Sequence, residues 1–534
     1  MFAFAIWDDA NGTLFLARDR MGQKPLFYAA IGNDGKAWEH ERPPMVMAYA
    51  SELPALRATG WMDSSVNDSA LGDYLRFGYV PTPATIYNGA WKLPPGTWMK
   101  ISRDAARMER YFDPNQSASV LQHAGPSSSA NTPRAEARSP NDADAPLFAR
   151  ERINNAVKRQ LVADVPLGCF LSGGIDSSIV AAAMKASVPK NQPVLTFSIG
   201  FEDPLYDESK YAEEVARHLG TTHKNFIVDF NAAEELPKLA RVFGEPFGDS
   251  SALPTHYLSR ETRKHVKVAL SGDGGDELFG GYDRYRAMKL SESLRRLPFP
   301  LRTIAGSILW QCLPGTHPKG KLTRLKRLLA TVRQPPAVRY ENYLRLFDES
   351  MVHALLPTQH RAEPVLAFVD LFNERMKDLD AVRAALCMDR VSYLPDDLLT
   401  KVDRASMLHA LEVRSPYMDH ELVQFAATLS TPQLLRGGGK RVLREAFAKD
   451  LPPQVFTRPK MGFAVPIGQW FRGELSEMLR GMLFAEESFT TSNLNSDFVR
   501  KLVDEHHTER RDHSQRLFAL LMLELWWRTQ SEQD

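Results

Sequence analysis

The segment Ser172-Gly-Gly-Ile-Asp-Ser-Ser178 constrains this chain more than any other stretch. It joins a short apolar run, Gly168-Cys-Phe-Leu171, to a helical pattern expected to begin near Ser177. A strand–loop–helix unit of this kind aims backbone N–H groups and the positive end of a helix at an anion. Gly173 and Gly174 let the main chain approach a phosphate closely, and Ser172, Ser177 and Ser178 add hydroxyl donors. Asp176 can hold a divalent cation that bridges phosphates. The lysine and the spacing of the usual mononucleotide loop are both absent. Taken alone, the motif has a plain Gly-Ser turn as its bland alternative.

The surroundings have a βαβ rhythm. Val165 to Leu171, Val194 to Phe201 and Val266 to Leu270 are short apolar runs that read as buried parallel strands. Tyr211, Ala212, Val215, Ala216 and Leu219 form one helical face, with Asp207 as the expected N-cap and Gly220 just past the end. Such a rhythm implies a doubly wound sheet with ligands beyond the C-terminal strand ends. A second loop, Ser271-Gly-Asp-Gly-Gly-Asp-Glu-Leu-Phe-Gly-Gly-Tyr282, follows the third strand with glycines and three carboxylates, a composition suited to ribose, phosphate or Mg²⁺. A solvated acidic turn is the bland alternative, and two such loops on one sheet leave it little room. Beyond about residue 283 the pattern turns mostly helical.

Residues 1–114 read as β-rich. Phe2 to Trp7 and Thr13 to Ala17 flank Asp8-Asp-Ala-Asn-Gly12, where Asn-Gly predicts a hairpin turn. Leu93-Pro-Pro-Gly96 is a further turn. Residues 115–146 are rich in Ser, Ala, Asn and Pro and hold almost no large apolar side chain, so they are expected to be a flexible linker. Residues 147–534 form the second domain.

A length of 534 residues exceeds what one hydrophobic core organises. The net charge of +1, from 66 basic against 65 acidic residues, supplies no global field for nucleic acid or an anionic membrane. It also weakens a reading as a tRNA-modifying enzyme. The three cysteines, Cys169, Cys312 and Cys387, form neither a CxxC pair nor an even set, which fits a reducing compartment. With no export signal and no apolar run long enough to span a bilayer, the cytoplasm is the default location.

The SGGxDS loop resembles the pyrophosphate-gripping loop of the ATP pyrophosphatase superfamily, which splits ATP between its α- and β-phosphates. More specifically, Ser198-Ile-Gly-Phe201, Gly244-Glu-Pro-Phe-Gly-Asp-Ser-Ser251, the Ser271–Tyr282 loop and Tyr393-Leu-Pro-Asp-Asp-Leu-Leu-Thr-Lys-Val-Asp-Arg-Ala-Ser-Met407 are similar to successive signatures of glutamine-hydrolysing asparagine synthetases. Glu412-Val-Arg-Ser-Pro-Tyr-Met-Asp-His420, Gly439-Lys-Arg-Val-Leu-Arg444 and the motif opening at Arg458-Pro-Lys-Met-Gly continue the series. The resemblance implies an α/β fold with two parts. The first is a partial N-terminal nucleophile-type αββα glutaminase domain, and the second a doubly wound parallel-sheet ATP pyrophosphatase domain with a helical C-terminal part. It implies ATP and Mg²⁺ as cofactors and aspartate with glutamine or ammonia as partners, with no nucleic acid and no membrane; a homodimer is compatible with it.

Carried over residue by residue, the resemblance implies that Ser172, Gly173, Gly174, Asp176, Ser177 and Ser178 grip pyrophosphate, with Asp176 and Asp276 as Mg²⁺ ligands. Phe170, Ile199, Ser271 and Gly272 would line the adenosine site. Asp273 stands where many relatives have Glu and helps form a β-aspartyl-AMP intermediate. Lys440 matches a basic residue that stabilises charge during adenylation.

The N-terminal motifs Phe4-Ala-Ile-Trp-Asp8, Ala17-Arg-Asp-Arg-Met-Gly22, Lys24-Pro-Leu-Phe-Tyr28, Ala50-Ser-Glu52 and Phe77-Gly-Tyr-Val-Pro81 are similar to the later part of a class II glutaminase, in which Asp19 would hold the α-amino group of glutamine. The family nucleophile is a Cys that becomes residue one, whereas this sequence begins Met-Phe-Ala-Phe and its first cysteine is Cys169. The expectation is therefore an N-terminally truncated sequence. Either its start lies at an internal Met of a longer protein, which the well-kept remainder favours, or the chain uses free ammonia. Two rivals remain: a related amidotransferase acting on another carboxylate, and a non-catalytic remnant.

Overall fold

The computed structural model describes residues 1–31, 44–116, 140–201, 207–295, 331–458 and 465–531. Most of the expected linker, residues 117–139, lies outside them, as do residues 296–330.

The N-terminal part is a sandwich of two antiparallel sheets. One has the order β1 (Ala3–Asp8), β2 (Thr13–Arg18), β6 (Thr97–Ile101), β7 (Ala106–Arg110). The other has the order β4 (Val46–Ala50), β3 (Phe27–Ile31), β5 (Ala90–Lys92). Alternation along β3 sorts its side chains between two cores. Tyr28 and Ala30 meet Leu16 and Met99 of the first sheet, while Phe27 and Ala29 join the large core that runs into the rest of the chain. The β1–β2 hairpin forms as expected, but its turn differs. Only Gly12 has positive φ, and Asn11 instead donates through its backbone N and Nδ2 to the Asp8 carboxylate, at 3.2 and 2.7 Å. The side-chain bond supplies the reversal that an Asn-Gly pair of left-handed residues would otherwise make. On the outer face, Phe4, Phe15 and Trp98 stack in a row, with centroids 6.1 and 5.7 Å apart.

From Ala145, where the helix Ala145–Gln160 starts, the chain builds a five-stranded sheet. Its members are β8 (Leu167–Phe170), β9 (Leu195–Gly200), β10 (Thr222–Ile227), β11 (Val268–Leu270) and β12 (Glu412–Arg414). The order is β10-β9-β8-β11-β12, and every neighbouring pair is parallel. The three apolar runs are thus β8, β9 and β11. The helix Ser209–Leu219 buries Ala212, Val215 and Ala216 and ends at Gly220. Its N-cap residue is Glu208 rather than Asp207, although the Asp207 carboxylate still accepts from Ser209 N at 3.0 Å. Strand order reverses between β8 and β11, where connections leave in opposite directions and open a crevice. Both glycine-rich loops emerge there.

The two parts are fastened by buried polar contacts. Lys92 Nζ lies 2.6 Å from Glu245 Oε1, Lys24 Nζ lies 2.7 Å from Asp403 Oδ1, and Thr82 Oγ1 donates to Asp396 at 2.6 Å. Lys92 and Glu245 are both nearly sealed from solvent, so removing either charge strands the other. Glu245→Ala is expected to cost about 3–5 kcal/mol of stability, and the pair replacement Lys92→Met/Glu245→Leu to recover most of it. Apparent melting temperatures of the three proteins by calorimetry check this.

Candidate active site

The helix Ile175–Ser187 begins two residues earlier than expected, with Gly174 as its N-cap. Asp176, Ser177 and Ser178 therefore occupy its first turn. The loop is braced from within: Ser172 N donates to Ser177 Oγ at 3.2 Å, Ser172 Oγ lies 3.0 Å from Ser177 Oγ, and Gly174 N donates to Ser172 Oγ at 3.3 Å. Ser178 has no exposed surface, so in this arrangement its hydroxyl faces the interior. Gly173 has a φ of 69°, and a Cβ there would stand 2.6 Å from the Tyr211 carbonyl carbon. Ser271 is buried and its N donates to Arg414 O at 2.9 Å, which ties the second loop to β12. Phe170 and Ile199 sit toward the C-terminal ends of the adjacent strands β8 and β9.

Lys440 joins the two loops. It enters the helix Arg441–Phe447 with a left-handed φ of 52°, and its N donates to Phe279 O at 3.2 Å. Its ammonium is hydrogen-bonded to the Asp176 carboxylate and lies 2.5 Å from Asp276 Oδ1. Burial alone would lower the Lys440 pKa, but the Asp176 and Asp276 charges outweigh it and raise it above the ordinary lysine value. A single cation thus holds together carboxylates from beyond β8 and beyond β11. The donor set suits Mg²⁺, which is bound through one or two carboxylates with the remaining positions left to water and substrate phosphates.

Asp273 lies in the same loop as Asp276. Ser415 Oγ donates to its carbonyl oxygen at 2.5 Å. Burial raises the Asp273 carboxyl pKa, while the Lys401 charge opposes it. Lys401 itself bonds Asp249 Oδ2 and Ser251 Oγ, each at 2.8 Å. Lys401, Asp249 and Ser251 sit within motifs visible in the sequence, but nothing local in either motif shows that they meet. Arg458 is a second such residue. Its guanidinium lies over the Tyr211 ring at 4.4 Å, reaches Glu208 at 2.9 Å and points Nη2 at Ser172 O, 3.4 Å away, which sets a cation against the first loop.

Asp19 is placed in the N-terminal part and belongs to neither loop. Its carboxylate accepts from the backbone N of Phe2, Met21, Gln23 and Lys24 at 2.8–3.3 Å, which fills the capacity of two carboxylate oxygens. Cys169 is wholly buried in β8 and its thiol is pushed up to about 12 by desolvation, a state in which it is no nucleophile.

A parallel sheet with two glycine-rich loops and converging carboxylates at its reversal point defines an α/β protein with a ligand crevice at its strand ends. The chain belongs to the asparagine synthase family, whose model matches residues 149–528, and a glutamine amidotransferase domain model matches residues 1–112. Asparagine synthetase [glutamine-hydrolyzing] 1 of Bacillus subtilis is 30% identical over 98% of this chain and 77% of its own length. A putative asparagine synthetase [glutamine-hydrolyzing] of Mycobacterium tuberculosis is 32% identical, over 98% and 76%. The amidase chry2 of Gibberella zeae is 25% identical over 90% of this chain and 71% of its own length. Among the described residues, no helix is long and apolar enough to cross a membrane.

The loops touch at Gly272, where a Cβ would stand 2.7 Å from Ser177 N, a backbone atom that cannot swing aside. Gly272→Ala is expected to fold but to spread the crevice by a fraction of an ångström. Turnover should then fall by about a hundredfold, the scale for a misplacement near 1 Å. Steady-state kinetics beside a circular-dichroism melt checks this.

Proposed function

We propose that this chain makes asparagine from aspartate, ATP and ammonia, releasing AMP and pyrophosphate. The observation that carries the reading is the Lys440 ammonium set between Asp176 and Asp276 at the reversal of the sheet. Helix N–H groups beyond β8 receive the leaving pyrophosphate, and Arg458 adds positive charge beside them. An oxygen of the aspartate β-carboxylate bonds the α-phosphorus while the bond from that phosphorus to pyrophosphate breaks. Ammonia then attacks the acyl carbon of β-aspartyl-AMP, AMP leaves, and one proton is lost to solvent. Lys440 stays protonated throughout and spreads the charge that develops on the phosphates. Asp176 and Asp276 would hold Mg²⁺, which supplies neutralisation of pyrophosphate as it departs. Asp273 faces the reacting carboxylate.

The N-terminal domain is read as a class II glutaminase of the αββα type and the second as an ATP pyrophosphatase. Residues 1–112 as they stand contain no cysteine. Free ammonia is the nitrogen donor in this reading, because Asp19 is taken up by backbone donors and the Cys169 thiol is buried in β8. A cavity of about 20 Å³ at the junction, lined by Arg18, Gln23, Phe27, Thr400 and Asp403, has room for a molecule the size of ammonia and supports its passage between the parts.

With aspartate, ATP, Mg²⁺ and ammonium, the protein is expected to form asparagine, AMP and pyrophosphate in equal amounts. Asp176→Asn should lower pyrophosphate release by several orders of magnitude while the fold persists. Appearance of ADP and orthophosphate would overturn the mechanism, and AMP formation only with another carboxylic acid would move the substrate. Glutamate release from glutamine that survives Cys169→Ala would refute the ammonia requirement.

A further inference from the structure

The Arg458 guanidinium stands at the phosphate loop but uses little of its donor capacity there. Arginine carries five N–H donors in a planar fork that matches two oxygens of one phosphate. Among the described residues, Nη2 alone donates, to Glu208 Oε1 at 2.9 Å and toward Ser172 O at 3.4 Å. Nη1 is buried with no hydrogen-bond partner. A buried charged donor without an acceptor is costly, so other groups must hold this cation where it is.

Both of those groups come from the start of the helix Ser209–Leu219. Glu208 is its N-cap residue, and the Tyr211 ring lies 4.4 Å from the guanidinium carbon. An arginine over an aromatic face is attracted to it without using any N–H donor. The same helical turn presses on the loop, since the Tyr211 carbonyl carbon is what a Gly173 side chain would strike. On the loop side, Nη2 comes within 4.0 Å of where a Gly174 Cβ would stand. The cation is therefore moored beside both glycines of the loop, with part of its fork unused.

The mooring is also reversible. The Glu208 carboxylate sits at a helix N-terminus, where the macrodipole favours negative charge whether or not Arg458 is bound to it. It can release the guanidinium without becoming a stranded charge. A pyrophosphate on the loop is a more highly charged acceptor that engages the fork through two oxygens, which one Glu208 oxygen does not.

We infer that Glu208 and Tyr211 hold Arg458 for a hand-over. The guanidinium leaves Glu208 for pyrophosphate as that product forms, and Glu208 takes it back so that pyrophosphate can depart. Glu208 is thus a positioning residue that acts through Arg458 and sets how tightly the product is held. The inference rests on the AMP-forming reaction proposed above and adds to it a means of product release.

The test titrates magnesium pyrophosphate into the full chain by calorimetry, with inhibition of AMP formation by added pyrophosphate as a second readout. Glu208→Gln removes the competing charge and is expected to tighten pyrophosphate by about tenfold, the lower end of the weight of a hydrogen bond to a charged group. Arg458→Gln should weaken it by roughly ten- to hundredfold on the same scale. In the double variant, Glu208→Gln should add nothing, because its effect passes through Arg458. Arg458→Met keeps the packing on Tyr211 and takes the place of Arg458→Gln in this cycle if that variant does not fold. Unchanged or weaker pyrophosphate binding in Glu208→Gln would overturn the hand-over and leave the proposed reaction standing. A gain that persists without Arg458 would do the same, since it would reflect plain charge repulsion. Absence of pyrophosphate among the products of the unmodified enzyme would overturn both.

Discussion

The contact of Lys440 with Asp176 and Asp276 is the constraint on which the rest of the site depends. Two carboxylates a few ångströms apart in a partly dry crevice repel each other, and without a cation one of them would take up a proton. The fold supplies that cation from 264 residues further along the chain than Asp176. It does so through a backbone kinked into the left-handed region at Lys440, directly before the helix Arg441–Phe447. The loops after β8 and β11 are thereby held at a separation set by one ammonium group. The acids are also oriented for a divalent ion and phosphates.

The second buried polar system does different work. Lys24, Lys92 and Thr82 reach from the N-terminal sheets to Asp403, Glu245 and Asp396. Asp403 and Asp396 flank the segment that bears Asp397 and Lys401, and Glu245 lies four residues before Asp249. The N-terminal part therefore grips the elements that lead into β11 and β12. Asp19 serves the same end at one remove, because its four backbone hydrogen bonds fix the loop from which Lys24 extends.

Much of this was legible in the sequence because the chemistry is concentrated in contiguous motifs. The strand–glycine–acid loops after β8 and β11, the three apolar runs and the first hairpin all announce themselves within a dozen residues. Pairings across long separations are not local and left no such trace. Glu412–Arg414 is a strand only because β11 lies beside it, and Lys401 meets Asp249 across 152 residues. The hairpin turn departs from the Asn-Gly expectation at Asn11, because a side-chain bond to Asp8 replaces the backbone conformation that Asn-Gly favours. The start of the helix at Ile175 rather than near Ser177 reflects the usual latitude at helix ends, where Gly174 and Ile175 carry no capping side chain.

The strand order also has a consequence for how the protein is made. β11 acquires its outer neighbour only when residues 412–414 arrive, and Asp176 meets its counter-charge only when Lys440 does. During synthesis, the nascent chain therefore carries the phosphate loop as an acidic, half-walled edge until more than four-fifths of its length has emerged. Contacts closed so late are slow to form, because the entropy of closing the loop is spent before they contribute. Translation stopped before residues 412–414 leaves a β11 edge open to other strands, a surface of the kind that chaperones and proteases recognise.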